Sequence, residues 1–366
     1  GRLCATSGHS VFARPAILAL GFGFQSACAK LPAYAHSTTF CARTRPPTWC
    51  GQCLAYGVLR LVETMRWRAP TATSKVIMTS DTVFENINGA KVNMDHIYDQ
   101  PDPRAYSREL EKLGYAIPGA AKPVFQKLVS HLRRRQNHTV RVLDIGCSYG
   151  VNAALLKYNL SMPELYEHWG QSALQDATPG EVASTDRKFF DDLDEREDIS
   201  VTGLDQAESA IAYALQAGLL DEGLAVNLET DAVPKPATEN LALVDLVTST
   251  GCVGYVTEKS FQGLLPSMTR GRSPWIGNFV LRMFPFNSIE ETLRDWGYVT
   301  EKLKGKTFVQ RRFAAAEEQE EVLDQLRELG IDTIGKESEG QLLAEFYLSR
   351  PAYEVEAAPI ERLLSA

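Results

Sequence analysis

The sequence has 366 residues, of which 44% are hydrophobic and 23% are charged, and its formal net charge is −8. This composition suits a folded chain with one large α/β domain, and it excludes a low-complexity or fully disordered protein. Residues 78–366 hold 29 basic and 45 acidic residues, which disfavours nucleic acid as a partner. No apolar run is long enough to predict a membrane span.

The first 77 residues differ in composition from the rest of the chain. They contain five of the seven cysteines and no acidic residue before Glu63. An apolar run, AILALGFGF, followed by SACA is typical of a secretory signal, and the remainder is typical of a transit peptide. Two interpretations are open: a presequence for a plastid or another organelle, or translated upstream sequence before a cytoplasmic protein that starts at Met78. Both predict a disordered leader over residues 1–77.

The rest of the chain is predicted to form a capped α/β domain. A helical cap is expected over 78–137, where a segment punctuated by proline precedes a helical apolar pattern. Strands and helices then alternate over 138–352, which predicts a doubly wound, mostly parallel sheet with helices on both faces. Segments at about 160–198 and 285–315 are longer than direct crossovers and are interpreted as insertions. Residues 353–366 are a carboxyl-terminal tail.

The stretch VRVLDIGCSYGVN, from Val140 to Asn152, predicts a buried strand, a turn and the start of a helix. Gly146 and Gly150 lie in the turn, where glycine lets another group approach the backbone closely. An ordinary strand-to-helix turn would show the same pattern. A dinucleotide site requires the spacing GxGxxG, which is absent here, so an NAD(P)-dependent oxidoreductase is the weaker alternative.

Polar residues end the strands that follow. The strand ISVTGLD ends at Asp205, and one carboxylate can accept hydrogen bonds from both hydroxyls of a ribose. A third strand is predicted in LAVNLETDAV, with Asp231 just past its end, and a fourth in LALVDLVTSTG, which ends in Ser249 and Thr250. The runs WIGNFVLRMF and QLLAEFYLSRP are further strands. Ligands of open α/β sheets bind beyond the carboxyl ends of the strands, so these residues are expected to share a site.

The motif DIGCSYG resembles the first motif of the class I S-adenosylmethionine (SAM)-dependent methyltransferases, (D/E)xGxGxG. The acidic residues at the ends of the strands that follow add to this resemblance. The resemblance covers residues 138–351, and Ser148 stands where the middle glycine usually lies. It implies a Rossmann-like sheet of seven strands, with the last strand antiparallel, and a site for SAM. The cofactor-binding residues that it implies are Asp144, Gly146, Cys147, Ser148, Gly150, Asn152, Asp205, Gln206, Asp231, Ser249 and Thr250.

The resemblance also implies that the amino-terminal cap covers an acceptor site. Aromatic residues packed between helices and sheet would show the same pattern as residues that face an acceptor. The candidates for contact with the acceptor are Tyr98, Tyr106, Tyr115, His168 and Tyr255. The catalytic residues are not identified, and the candidates for that role are Tyr98, His168 and Tyr255. A general base is needed only if the acceptor must lose a proton, and the candidates for it are His96, His168 and Glu258.

The sequence thus predicts a methyltransferase that acts on a small molecule by in-line displacement. The NPPY-type loop of amino-directed DNA methyltransferases is absent after the fourth strand, and the spacing of cysteine and histidine predicts no metal site. A non-enzymatic alternative is a protein of this fold that binds SAM but regulates or scaffolds a partner.

Overall fold

The structure, a computed structural model, describes residues 87, 89 and 93–365. The expected leader over 1–77 and most of the segment 78–92 lie outside the described residues. Within the described part, no helix is both long and apolar enough to cross a bilayer.

One eight-stranded sheet forms the centre of the described chain. Its strands are β1 Val140–Ile145, β2 Ile199–Asp205, β3 Glu222–Ala225, β4 Leu246–Thr250, β5 Trp275–Leu281, β6 Tyr298–Lys302, β7 Phe308–Arg312 and β8 Gln341–Pro351. The order across the sheet is β3-β2-β1-β4-β5-β8-β6, and β7 also pairs with β8. Strands β1 to β5 are parallel to one another. The order reverses between β1 and β4, which is where such sheets open a crevice for ligands.

The last strand, β8, is antiparallel to each of its three neighbours. Strand β6 pairs with residues 347–351 of β8 and β7 pairs with residues 341–344, both on the edge that faces away from β5. The sheet is therefore seven strands wide, and two short strands fill its outermost position. The predicted mostly parallel sheet with an antiparallel last strand is confirmed, but β6 and β7 were not located from the sequence, which placed an insertion there.

Helices cover both faces of the sheet. They are α1 Asp95–Tyr98, α2 Arg104–Lys112, α3 Ile117–Arg135, α4 Val151–Lys157, α5 Met162–Trp169, α6 Ser172–Gln175, α7 Pro179–Asp191, α8 Glu208–Gln216, α9 Thr238–Leu241, α10 Glu258–Met268, α11 Asn287–Asp295, α12 Ala316–Glu328, α13 Ala352–Ala357 and α14 Ile360–Ser365. Successive residues of a strand point to opposite faces, so Val142 packs into one apolar core and Leu143 into the other. Burial on both faces explains why the central strands read as continuous apolar runs.

The insertion between α4 and β2 folds as short helices with strong start signals. Ser161 and Glu164 form a capping box at the start of α5, and Thr178 and Glu181 form another at α7. The Tyr166 hydroxyl of α5 donates to the carbonyl oxygen of Tyr115 at 2.9 Å, which ties the insertion to the amino-terminal segment.

The third strand begins and ends earlier than the sequence suggested. It covers Glu222–Ala225, whereas the expected strand lay within residues 224–233. The polar stretch after the strand forms a turn around Asn227. The side chain of Asn227 accepts a hydrogen bond from the backbone N–H of Glu229 at 3.0 Å, and the backbone carbonyl oxygen of Asn227 accepts one from the backbone N–H of Asp231 at 2.8 Å. Asp231 consequently lies six residues past the strand rather than just beyond it.

Candidate functional site

A cavity of about 1110 Å³ opens beyond the carboxyl ends of β1, β2, β3 and β4. The loop after each of these strands contributes to its wall, and α1 and α2 cover one side of it. This position is the crevice expected at the reversal of strand order. The volume is large enough for a nucleoside-sized ligand together with a second small molecule.

The two glycines of the first motif have different structural roles. Gly146 has a φ of +68°, and a Cβ atom there would lie 2.6 Å from the Cβ atom of Cys252. Gly150 has a φ of +78°, and its Cβ would lie 3.2 Å from side-chain carbons of Ala214 and Leu219. Gly146 therefore lets the motif loop pass under the β4 loop, while Gly150 lets α4 start close to α8. Gly146 lines the cavity and Gly150 does not.

Ser148 takes a backbone conformation that favours glycine. Its φ is +46°, and it occupies the place of the usual middle glycine. Its backbone N–H donates to the Asp205 carboxylate at 2.8 Å, which joins the motif loop to the end of β2. The Ser148 hydroxyl is buried at the cavity wall and has no hydrogen-bond partner among the described residues. It is available to a bound ligand.

We expect Ser148→Gly to stabilise the protein. Removing the Cβ atom relieves the left-handed strain, which is worth about 1 kcal/mol, and the midpoint of thermal unfolding should rise by about 2 °C. Ser148→Ala is the matched control, because it removes the hydroxyl but keeps the strained Cβ. An equal gain in Ser148→Ala would assign the effect to the hydroxyl and contradict the explanation.

Asp205 places a carboxylate at the end of β2 on the cavity wall. One carboxylate oxygen accepts from the backbone N–H of Ser148 and the other from that of Ala207, at 2.8 and 3.0 Å. Burial raises the pKa of Asp205, and these two backbone hydrogen bonds oppose the rise. Each oxygen can accept a further hydrogen bond, so the group can still bind two hydroxyls. Gln206 and Cys147 also line the cavity.

Asp144 lies behind the cavity wall rather than on it. One of its carboxylate oxygens accepts from Asn152 at 3.0 Å and from the Thr248 hydroxyl at 2.7 Å. The other oxygen is buried without a partner among the described residues, and burial raises the pKa of Asp144 to about 7. Asn152 also donates to the Thr250 hydroxyl at 3.0 Å, and both of these side chains line the cavity. Asp144 therefore positions polar groups that face the cavity.

The remaining residues of the predicted cofactor set divide between the cavity and the core. Asp231 lines the cavity and is exposed. Ser249 points away, and its hydroxyl donates to Asn278 at 2.7 Å. Direct contact of the predicted residues with a cofactor stays a prediction.

Four of the five predicted acceptor-facing residues line the same cavity: Tyr98, Tyr106, Tyr115 and Tyr255. The Tyr149 hydroxyl holds the chain segment that carries Tyr98, since it accepts from the backbone N–H of Gln100 at 2.8 Å and donates to the carbonyl oxygen of Ile97 at 3.0 Å. These tyrosines come from α1, α2, the turn before α3 and the β4 loop, so only the folded chain brings them together.

His168 belongs to a separate buried cluster. Its Nε2 atom lies 2.6 Å from the Asp186 carboxylate, which also accepts from Trp169 at 3.2 Å and from the Tyr213 hydroxyl at 2.5 Å. His168 does not line the cavity, and neither do His96 and Glu258. The structure thus places all three candidate bases away from the cavity wall.

The residues of the cavity wall that the sequence analysis missed include Glu229, Gln310 and Arg311. Glu229 accepts from the Thr257 hydroxyl and backbone N–H and from the Ser260 hydroxyl, at 2.6 to 2.8 Å, which joins the β3 loop to the start of α10. Gln310 and Arg311 are neighbours on β7, and both line the cavity because the pairing with β8 shifts register at this point. Such a bulge turns two successive side chains to one side. The positions of Gln310 and Arg311 could have been predicted from the sequence only after β7 had been located.

Comparisons with known proteins find distant structural similarity. No protein-family model matches the sequence, and a search of curated proteins finds no relative. The plantazolicin methyltransferase BpumL in complex with SAH is 12% identical, with a TM-score of 0.38 over 74% of this chain and 96% of that chain. Precorrin-6y C5,15-methyltransferase from Geobacter metallireducens GS-15 is 10% identical, with a TM-score of 0.32 over 62% and 86%. The (4+2)-cyclase SpnF is 15% identical, with a TM-score of 0.30 over 62% and 80%.

The topology of the chain itself defines its fold class. Five parallel strands reverse their order between β1 and β4, an antiparallel last strand follows, and a cavity lies at the point of reversal. The chain therefore has a doubly wound, Rossmann-like α/β fold.

Proposed function

We propose that this protein is a SAM-dependent methyltransferase that acts on a small-molecule acceptor. The observation that carries the proposal is the shared cavity. The motif loop 146–148 and the Asp205 carboxylate, which are joined by a hydrogen bond, line the same cavity as the tyrosines. A cofactor and an acceptor could thus meet inside one enclosure.

The polar groups of the cavity suit the parts of SAM. Asp205 has acceptor capacity for the two ribose hydroxyls, and Gln206 and Asp231 are available to the adenine. Asn152, Thr250 and the unpartnered Ser148 hydroxyl are available to the amino-acid part. Gly146 leaves the backbone open where a side chain would meet Cys252. These assignments are part of the proposal.

The residues of the chain would promote the reaction by alignment and by exclusion of water. When bound, SAM supplies an activated methyl group on a positively charged sulfur. Orientation of two bound reactants can lower a barrier by on the order of 7 to 11 kcal/mol at best. The network of Asp144, Asn152 and Thr250 holds polar side chains in fixed positions, as such alignment requires.

Thermal unfolding of the full chain with S-adenosylhomocysteine (SAH) tests this function. At about a hundred times its dissociation constant, a ligand of the native state adds about 2.7 kcal/mol, so we expect the midpoint to rise by about 5 °C. NADH should give no rise. Asp205→Ala should weaken SAH binding about 5-fold to 150-fold, because hydrogen bonds to a charged group are lost.

Glu208→Ala is the matched control for Asp205→Ala. Glu208 is an exposed acid in the first turn of α8 that does not line the cavity, so its removal changes the charge without removing a proposed contact. Equal SAH affinity in the Asp205 variant and the parent would remove Asp205 from the site. A midpoint shift with NADH alone would favour the oxidoreductase.

A further inference from the structure

We propose that the acceptor is a small amine, recognised at the end of the cavity lined by Tyr98, Tyr106, Tyr115 and Tyr255, called here the tyrosine subsite. The inference rests on the proposed methyltransferase function and specifies its substrate class. The aromatic lining, the charge of the cavity wall and the neutral state of the tyrosines support it.

The rings of the tyrosine subsite lie close together. The ring centroid of Tyr106 is 5.6 Å from that of Tyr98 and 6.2 Å from that of Tyr115. Tyr98 also interacts electrostatically with Tyr255 and with Asp205, so the subsite adjoins the proposed cofactor end. An ammonium group within about 6 Å of such a ring is attracted by its π electrons. Tyrosine rings that line one cavity favour a cation over a neutral group of equal size.

The charges of the cavity wall also favour a cationic acceptor. Its acids outnumber its bases, and they are Asp95, Asp99, Asp205, Glu229 and Asp231, against Lys259 and Arg311. The Arg311 guanidinium is buried and donates to both oxygens of Glu318, at 2.9 and 2.6 Å, so its charge is balanced within the protein. Asp95 and Asp99 lie beside the tyrosine subsite on α1 and just after it. A carboxylate or thiolate acceptor would meet this negative wall unfavourably.

The tyrosine subsite supplies no phenolate base for an acceptor hydroxyl. Burial raises the pKa of Tyr98, Tyr106 and Tyr115, so these phenols stay neutral and are weak bases. No histidine belongs to the cavity wall among the described residues. An alcohol would need a base to remove its proton during attack, whereas an amine reacts through its lone pair once its ammonium form has lost a proton to water.

The step is balanced without a further reactant. The lone pair of the neutral amine forms the new N–C bond, the S–C bond of SAM breaks, and SAH leaves. The product is a methylammonium ion, whose positive charge the tyrosine rings stabilise, and its proton passes to the solvent.

Choline and its neutral isostere 3,3-dimethylbutan-1-ol test the subsite by binding alone. On the full chain, with and without saturating SAH, calorimetry should show choline binding at least about 10-fold more tightly than the isostere. Tyr98→Leu removes one ring and should lower the choline affinity about 5-fold or more, while Tyr98→Phe, the matched control, should retain it. Asp95→Asn should lower the choline affinity and leave that of the isostere unchanged.

Two results would overturn the proposal. One is equal affinity for choline and the isostere, or no binding of choline. The other is transfer of label from methyl-labelled SAM to alcohols but not to amines of the same carbon skeleton. Failure of SAH to bind would instead contradict the methyltransferase function. SAH binding is measured in separate titrations, without choline or its isostere.

Discussion

The contribution of Asp144 to the free energy of unfolding is expected to fall as the pH rises from about 4 to about 7, because Asp144 holds its proton in the folded state. Burial raises the pKa of Asp144 from 3.8 to about 7, so in this pH range the unfolded chain releases the proton and the folded chain keeps it. The stabilising contribution is complete below pH 4 and is lost as the pH approaches 7. A shift of this size corresponds to about 4 kcal/mol.

Asp144→Asn isolates this contribution. The amide oxygen of asparagine can accept from Asn152 and Thr248 as the carboxylate does, but the side chain does not titrate. The free energies of unfolding of the parent and the variant should therefore be measured by chemical denaturation at pH 4 and at pH 8. Between these pH values, the stability of the variant relative to the parent should rise by about 4 kcal/mol. Parallel stability profiles for the two proteins would mean that Asp144 is ionised in the native state.

The second large effect is expected for Gly146→Ala. The left-handed backbone costs alanine about 1 to 2 kcal/mol. A Cβ atom 2.6 Å from that of Cys252 adds about 1 to 3 kcal/mol of overpacking. The midpoint of thermal unfolding should fall by about 4 to 10 °C. SAH binding should be lost as well, since the motif loop must move away from the β4 loop.

Gly305→Ala is the control for the backbone term alone. Gly305 has a φ of +71°, is exposed, and has no atom within 4 Å of a built Cβ position. Its substitution should therefore cost only the backbone strain and leave SAH binding intact. Equal destabilisation in the two variants would show that the motif loop can move away from Cys252 at no cost. That result would contradict the close packing at Gly146 as the reason for a glycine.

The central strands could be predicted from the sequence, while the outer ones could not. Strands β1, β2, β4 and β5 are buried on both faces, so each appears as an apolar run with clear limits. Strand β6 has the burial pattern of an edge, with Thr300, Glu301 and Lys302 only partly covered or exposed, and its sequence lacks any apolar periodicity. Its position depends on pairing with β8, which is 45 residues or more further along the chain.

The site was predictable where topology alone decides it. Carboxyl ends of parallel strands gather at one edge, which brought Asp205 and Thr250 to the cavity. Asp144 and Ser249 lie within β1 and β4 themselves, and an apolar run that ends in polar residues does not show which of those residues reach the cavity. Both could therefore not be distinguished from their cavity-lining neighbours. His168 lies in an insertion whose packing depends on Asp186, and nothing in its spacing indicated that partner.

The division of the cavity wall has an evolutionary consequence. The residues proposed for the cofactor lie between 144 and 250, while most of the tyrosine subsite lies between 98 and 115, and Gln310 and Arg311 come from a strand at the sheet edge. Gln310 and Arg311 both face the cavity because the pairing of β7 with β8 shifts register at this point. Insertion or deletion of one residue in β7 would therefore change which side chain lines the cavity. Small changes at the sheet edge can therefore alter the wall that an acceptor would face, while the residues proposed for the cofactor stay in place.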